Sequence, residues 1–264
     1  MHRFADALML RVERVVGCIT ATLSNDASSM AMRVLVNPAN EALIGTSRPY
    51  FPRGGPVPAR PPPELGTSST GWGGMDAGSG MLYPAQTVDG IVHQYGGRAL
   101  RSALAKFPAL LERADGDHIR CHIGDAVLTA SPASLPYDVI AHTPPPFWPT
   151  SLDESSLGEH AAQVAACFHS ALDVSRSAAA AADKMLLLTT PLIGAGARGA
   201  PAAAAASILV RACAMAQREA AAEALDGVDV VVRLVAHDRV SDEALQQAAL
   251  REGLKLVEVG NGDG

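Results

Sequence analysis

The chain has 264 residues and a mass of 27.3 kDa, with 48% hydrophobic and 18% charged residues; this excludes a disordered chain and leaves length for one large domain or two small ones. Its net charge of −6 argues against holding nucleic acid by bulk charge, although backbone N–H groups can still bind an anion. No apolar run reaches the ~18 residues of a membrane-spanning helix, and the cysteines Cys18, Cys121, Cys167 and Cys213 form no CxxC pair, so a reducing compartment, cytoplasmic or nuclear, is expected and no membrane.

The first twenty residues lack the apolar stretch of a signal peptide and read as a short lead-in followed by a strand at 10–19. Apolar, β-branched runs then predict strands at 32–36, 118–128, 137–141, 186–189 and 228–236. Between them, Ala161, Val164, Phe168 and Leu172 lie on one face of a helix over 158–182. A second helix, over 201–225, opens on Pro201 and is rich in alanine. A third begins with Ser241 as N-cap, with Asp242 and Glu243 placing negative charge in its first turn. Strands alternating with helices indicate a layered α/β domain. Residues 48–80 break the pattern, with seven prolines from Pro49 to Pro63 and eight glycines from Gly54 to Gly80. That is too long for an ordinary connection: it is a functional loop or a disordered insert.

Three segments carry candidate chemistry. Asn37-Pro38-Ala39-Asn40 follows the strand at 32–36 and sets two amides at a strand's carboxyl end, where α/β sheets bind ligands; a plain turn has the same composition. In Val88-Asp89-Gly90-Ile91-Val92-His93, a carboxylate beside a glycine near a helix start can reach a ligand or merely cap the helix. His93, four residues on, shares the face of Asp89 but reads by itself as a packed structural histidine. The third, Gly194-Ala195-Gly196-Ala197-Arg198-Gly199, lies between a strand and a helix, the setting of a diphosphate cradle or of a flexible loop. It fits neither the P-loop nor the dinucleotide fingerprint. The edges Gly124-Asp125-Ala126 and His142-Thr143-Pro144 say little singly. His118, Cys121 and His122 do not converge if they lie on one strand, so no metal site is expected there.

In order and spacing these segments, with Gly17-Cys18-Ile19-Thr20 before them and the strand at 228–236 after them, resemble the macrodomain, an ADP-ribose-binding (Appr-1-p processing) family. The resemblance spans roughly residues 8 to 250. It implies a three-layer α/β/α fold with a central mixed sheet, and a single domain over 1–264 with an enlarged loop at about 48–87. It also implies that ADP-ribose or an ADP-ribosylated protein is the partner, that no cofactor is needed, and that the chain hydrolyses ADP-ribosyl linkages on modified proteins or related derivatives. The alternatives are a non-catalytic reader of ADP-ribosylated partners, or a scaffold with a decayed pocket. By position, Asp89 matches the aspartate that orients water or ribose, and Asn40 the asparagine at the distal ribose. Val88 and Gly90 match the start of the diphosphate-contacting helix, Gly194, Gly196, Ala197, Arg198 and Gly199 match the second phosphate loop, and Asn37 and Ala195 are further ligand-binding positions. His237 falls where an aromatic stands beside adenine.

The departures are specific. Cys18 replaces an adenine-accepting aspartate, and a thiol is a poor acceptor. Arg198 replaces an aromatic over the distal ribose, and Gly194-Ala195 replaces Ser-Thr. The 47 residues between Asn40 and Val88 replace about ten, and hold Tyr50, Phe51, Trp72 and Tyr83, four of the chain's eleven aromatics. They read as a lid over the cleft or as a surface excursion.

Overall fold

The computed structural model describes residues 10–20, 30–45, 51–53, 81–82, 84–112, 118–223 and 228–259. The expected lid therefore falls almost wholly outside the described residues. In chain order the strands are β1 (Leu10–Val16), β2 (Ala31–Pro38), β3 (Phe51–Pro52), β4 (Met81–Leu82), β5 (Leu111–Glu112), β6 (His118–Ile119), β7 (Val127–Ala130), β8 (Val139–Thr143), β9 (Met185–Pro191), β10 (Val230–Ala236) and β11 (Val257–Glu258). The helices are α1 (Val88–Leu104), α2 (Glu154–Ala181), α3 (Ala202–Glu223) and α4 (Arg239–Glu252). Seven strands form one sheet in the order β11-β1-β10-β9-β2-β8-β7. All neighbours are parallel except β7 and β8, so the sheet is mixed. The carboxyl ends of β1, β10, β9, β2 and β8 therefore share one edge, where parallel α/β sheets collect their ligands.

One face of the sheet packs under α2, α3 and α4, with Val164, Phe168, Leu172, Leu209, Val210 and Leu245 buried against Val34, Val36, Leu188, Val232 and Leu234. Alanine lets these helices sit close, since Ala171, Ala205, Ala206 and Ala212 are almost wholly buried. The other face meets α1 through Val92, Leu100 and Leu104. The result is the expected three-layer α/β/α arrangement. The α1 face also carries charge: Arg233 Nη2 donates to Glu13 Oε2 at 2.7 Å across β1 and β10, with the two side chains 3% and 4% exposed. Among the described residues no helix is long and apolar enough to cross a membrane.

Two sequence expectations are corrected. The run at 118–128 is not one strand. After β6 the chain turns away, with the N–H groups of Arg120 and Cys121 both bonded to the carbonyl of Glu41 and Asp125 N bonded to His122 O. The polar break Gly124-Asp125 outweighs the apolar flanks, and the strand geometry assumed for His118, Cys121 and His122 does not exist. The last helix starts two residues before Ser241. Asp238 is its N-cap, accepting from Ser241 N at 2.7 Å, because a carboxylate satisfies an orphan N–H there at least as well as a hydroxyl. Elsewhere the predicted boundaries shift by a few residues.

Candidate functional site

Asp89 owes its position to the start of α1. Thr87, not Asp89, caps that helix: its Oγ1 accepts from Gly90 N at 3.1 Å. This frees the Asp89 carboxylate to turn toward the sheet. Gly90 is required by the turn that precedes it, since a Cβ at this position would lie 2.0 Å from the carbonyl oxygen of Pro84. Val88 is half-buried beside them and packs against the α1-side core.

Beneath Asp89 runs a buried polar chain. Asn37 Nδ2 donates to Asp89 Oδ1 at 2.9 Å and lies 3.1 Å from His142 Nδ1. His142 Nε2 lies 2.8 Å from Thr129 Oγ1. Asn37 and His142 are wholly buried. Burial pushes the His142 imidazole down to about 3, so it is neutral at physiological pH. His93 Nε2 stands 3.6 Å from Asp89 Oδ1, one helical turn on. Burial raises the Asp89 carboxyl above the ordinary aspartate range, while His93, the Asn37 donor and the charge of Arg198 oppose that rise. A desolvated carboxylate of raised basicity at the edge of a sheet is suited to taking or orienting a proton.

The 194–199 loop follows β9 and leads into α3. It folds on itself through Ala195 N to Leu192 O, Gly199 N to Gly196 O and Ala200 N to Gly194 O. Gly194 adopts φ +86, the left-handed region in which a side chain is strained. The main-chain N–H groups of Gly196, Ala197 and Arg198 have no partner among the described residues. Successive unpaired N–H groups of this kind form an anion-binding concavity. Arg53, at the foot of the enlarged loop, donates from Nη2 to Ala195 O at 2.7 Å.

Arg198 joins the two parts of the site. Its Nη2 donates to Ala39 O at 3.2 Å, and its guanidinium carbon lies 4.2 Å from the centroid of the Phe147 ring. Burial lowers its affinity for the proton, and the charges of Glu41 and Asp89 only partly offset that drop. The aromatic absent at position 198 is thus replaced by a cation stacked on an aromatic from another loop.

The structure brings Asp89, Asn37 and Arg198 together, while Asn40 and His237 are engaged elsewhere. The Asn40 amide donates to Gly45 O at 2.9 Å and accepts from Ile44 N at 3.3 Å, stiffening the loop after β2. His237 follows β10, is 76% exposed, and pairs with Asp238 at 3.1 Å. Cys18, also exposed, lies 2.9 Å from Thr20 Oγ1. From sequence His142 is marked only as the edge of a strand, and Thr129 and Phe147 have no assigned role. His93 was read as structural, although its i,i+4 spacing from Asp89 was the available signal.

A model of the Macro domain family matches residues 76–209. A mutant of the Oceanobacillus iheyensis macrodomain with ADPR superposes with a TM-score of 0.57 at 19% identity, over 92% of this chain and 94% of that one. The Trypanosoma brucei macrodomain in complex with ADP gives 0.53 at 15% identity, over 93% and 71%. The macro domain of ganglioside induced differentiation associated protein 2 gives 0.53 at 17%, over 93% and 86%. At these identities the superpositions speak for the fold. No curated protein matches the chain. The family match takes in α1 with Asp89, the β8 end with His142, and the 194–199 loop; the chain belongs to the macrodomain family.

Proposed function

We propose that this macrodomain binds ADP-ribose at the carboxyl edge of its sheet and hydrolyses ADP-ribosyl linkages on modified proteins or related derivatives. The observation that carries the reading is the half-buried Asp89 carboxylate, fixed by Asn37 at 2.9 Å and facing the charge of Arg198 from the unpaired N–H loop. The diphosphate sits against the N–H groups of Gly196, Ala197 and Arg198 and against the positive end of α1 at Val88 and Gly90, an arrangement that needs no lysine; the Gly90 N–H itself is held by Thr87. The distal ribose then lies toward Asp89. The carboxylate orients a water and accepts its proton as the water oxygen bonds to the anomeric carbon; the bond to the modified residue breaks and the leaving group takes up a proton. General-base help of this kind contributes typically 10²–10⁴-fold. His93 stands beside the carboxylate, and Asn40 holds the ribose hydroxyls once it exchanges its bonds to Gly45 and Ile44. The same reading takes residues 1–264 as one macrodomain with an enlarged loop at 48–87.

The second reading is a non-catalytic reader of ADP-ribosylated partners. One observation favours it: both polar atoms of the Asn40 side chain are bonded to its own loop, so contact with a ribose requires their exchange. Asp89→Asn separates the two. Calorimetry with ADP-ribose alongside turnover of an ADP-ribosylated protein is expected to show retained binding and lost turnover. Binding by a wild type that turns nothing over establishes the reader.

A further inference from the structure

The polar chain beneath Asp89 has a direction, and each of its links favours the same one. Asn37 presents one side-chain atom, Nδ2, to two neighbours at once: Asp89 Oδ1 at 2.9 Å and His142 Nδ1 at 3.1 Å. An amide nitrogen carries two N–H donors, so Nδ2 can serve both only if His142 Nδ1 bears a lone pair. The imidazole proton then sits on Nε2 and donates to Thr129 Oγ1 at 2.8 Å. Asn37 Oδ1 is left without a partner among the described residues. Two acceptors reward that orientation: the Asp89 carboxylate directly, and the His142 Nδ1 lone pair from the other side. Were the proton on Nδ1, the amide would turn over to accept it, and its oxygen would face the Asp89 carboxylate, acceptor against acceptor.

We propose that His142 is a positioning residue for Asp89: its Nδ1 lone pair, in the tautomer whose Nε2–H donates to Thr129, helps hold the Asn37 amide with its nitrogen toward the Asp89 carboxylate. The three residues come from separate strands, β2, β8 and β7, and meet in a wholly buried spot. His142 stays neutral there, since burial and then the charge of His93 disfavour its protonation, so the orientation holds across physiological pH. Asp89 is faced by His93 from α1, by Asn37 from β2 and by Arg198 from the loop after β9, with Glu41 beside Arg198. Of these, only the Asn37 contact is under the control of His142. The inference rests on Asp89 being the working carboxylate of the site, but its test does not require turnover.

The test reads two quantities in the full chain: the His142 tautomer from imidazole ¹⁵N shifts, and the Asp89 titration midpoint from its carboxyl ¹³C shift. The wild type is expected to show the Nε2–H tautomer. Thr129→Val keeps the volume and removes the acceptor; the Nδ1–H tautomer should appear and the Asp89 midpoint should rise by about one pH unit. His142→Phe should raise it similarly, and Asn37→Leu, which removes the donor itself, sets the ceiling. If His142→Phe does not fold, Thr129→Val alone decides. A wild-type Nδ1–H tautomer overturns the proposal, as does an Asp89 midpoint that Asn37→Leu raises and Thr129→Val leaves in place. If the wild type turns over no ADP-ribosylated protein while the titrations behave as stated, the hydrolytic reading falls and the positioning role stands.

Discussion

The Asp89 cluster and the 194–199 loop stand at the same edge of the sheet and are made of different material. At Asp89 every contribution is a side chain: a carboxylate, an amide, two imidazoles and a hydroxyl, each answering a particular partner. In the loop the useful groups are main-chain N–H groups, and the residues carrying them are glycine, alanine and one arginine. The first region depends on the identity of each atom and on protonation. The second depends on backbone conformation and is indifferent to most side chains that allow it. Where the chain departs from the macrodomain pattern at Gly194 and Ala195, it departs on the side that tolerates change.

The largest effect should come from Asp89→Asn. Turnover of an ADP-ribosylated protein is expected to fall 10²–10⁴-fold while calorimetric affinity for ADP-ribose holds. The same variant should be no less stable at neutral pH, because a carboxyl raised by burial lends stability that is lost as pH rises. His142 has the opposite sign. Its folded value of about 3 lies below the ordinary 6.5, so the unfolded chain binds the extra proton and stability falls as pH drops from 6.5 toward 3. The slope is at most about 1.4 kcal/mol per pH unit. Denaturant titrations across that window should show a flatter profile in His142→Gln; an unchanged profile would remove the buried neutral imidazole from the account.

Backbone substitutions sharpen the contrast. Gly90→Ala drives a Cβ into the Pro84 carbonyl and should cost about 1–3 kcal/mol in thermal unfolding. Gly194→Ala, held at φ +86, should cost about 1–2 kcal/mol and weaken ADP-ribose binding along with stability. Arg198→Lys should be the mildest: loss of the stack on Phe147 is worth about 0.5–1 kcal/mol, read as a small rise in the dissociation constant. A loop in which Arg198→Lys outweighs Gly194→Ala would be a side-chain site after all.

The scaffold was more legible in the sequence than the site. β10 is a run of β-branched residues, and α2 carries its buried stripe at Val164, Phe168 and Leu172; each is a local pattern. The caps of α1 and α4 were local too, but several polar residues competed for each, and geometry chose Thr87 and Asp238. The network under Asp89 had no such signature. His142 lies 105 residues from Asn37 and reads in sequence as the end of a strand. Only the register that sets Asn37 opposite His142 across β2 and β8 joins them. Arg198 stacking on Phe147 likewise needs two loops brought together by the sheet. Asn40 shows the converse, since its place in the motif was plain while its hydrogen bonds to Gly45 and Ile44 depend on how the loop closes.

The short ladder of β3 and β4 bears on how this chain can change in length. Pro52 pairs with Met81, so the 28 residues from Arg53 to Gly80 begin and end one strand spacing apart, about 5 Å. The ladder fixes the separation of these two ends whatever length of chain joins them. Three residues past Met81 the Pro84 carbonyl stands against Gly90 and so locates α1. Insertions and deletions can accumulate on one side of the ladder while the carboxylate on the other side keeps its place, which makes this hairpin the natural splice point for shortening or replacing the segment.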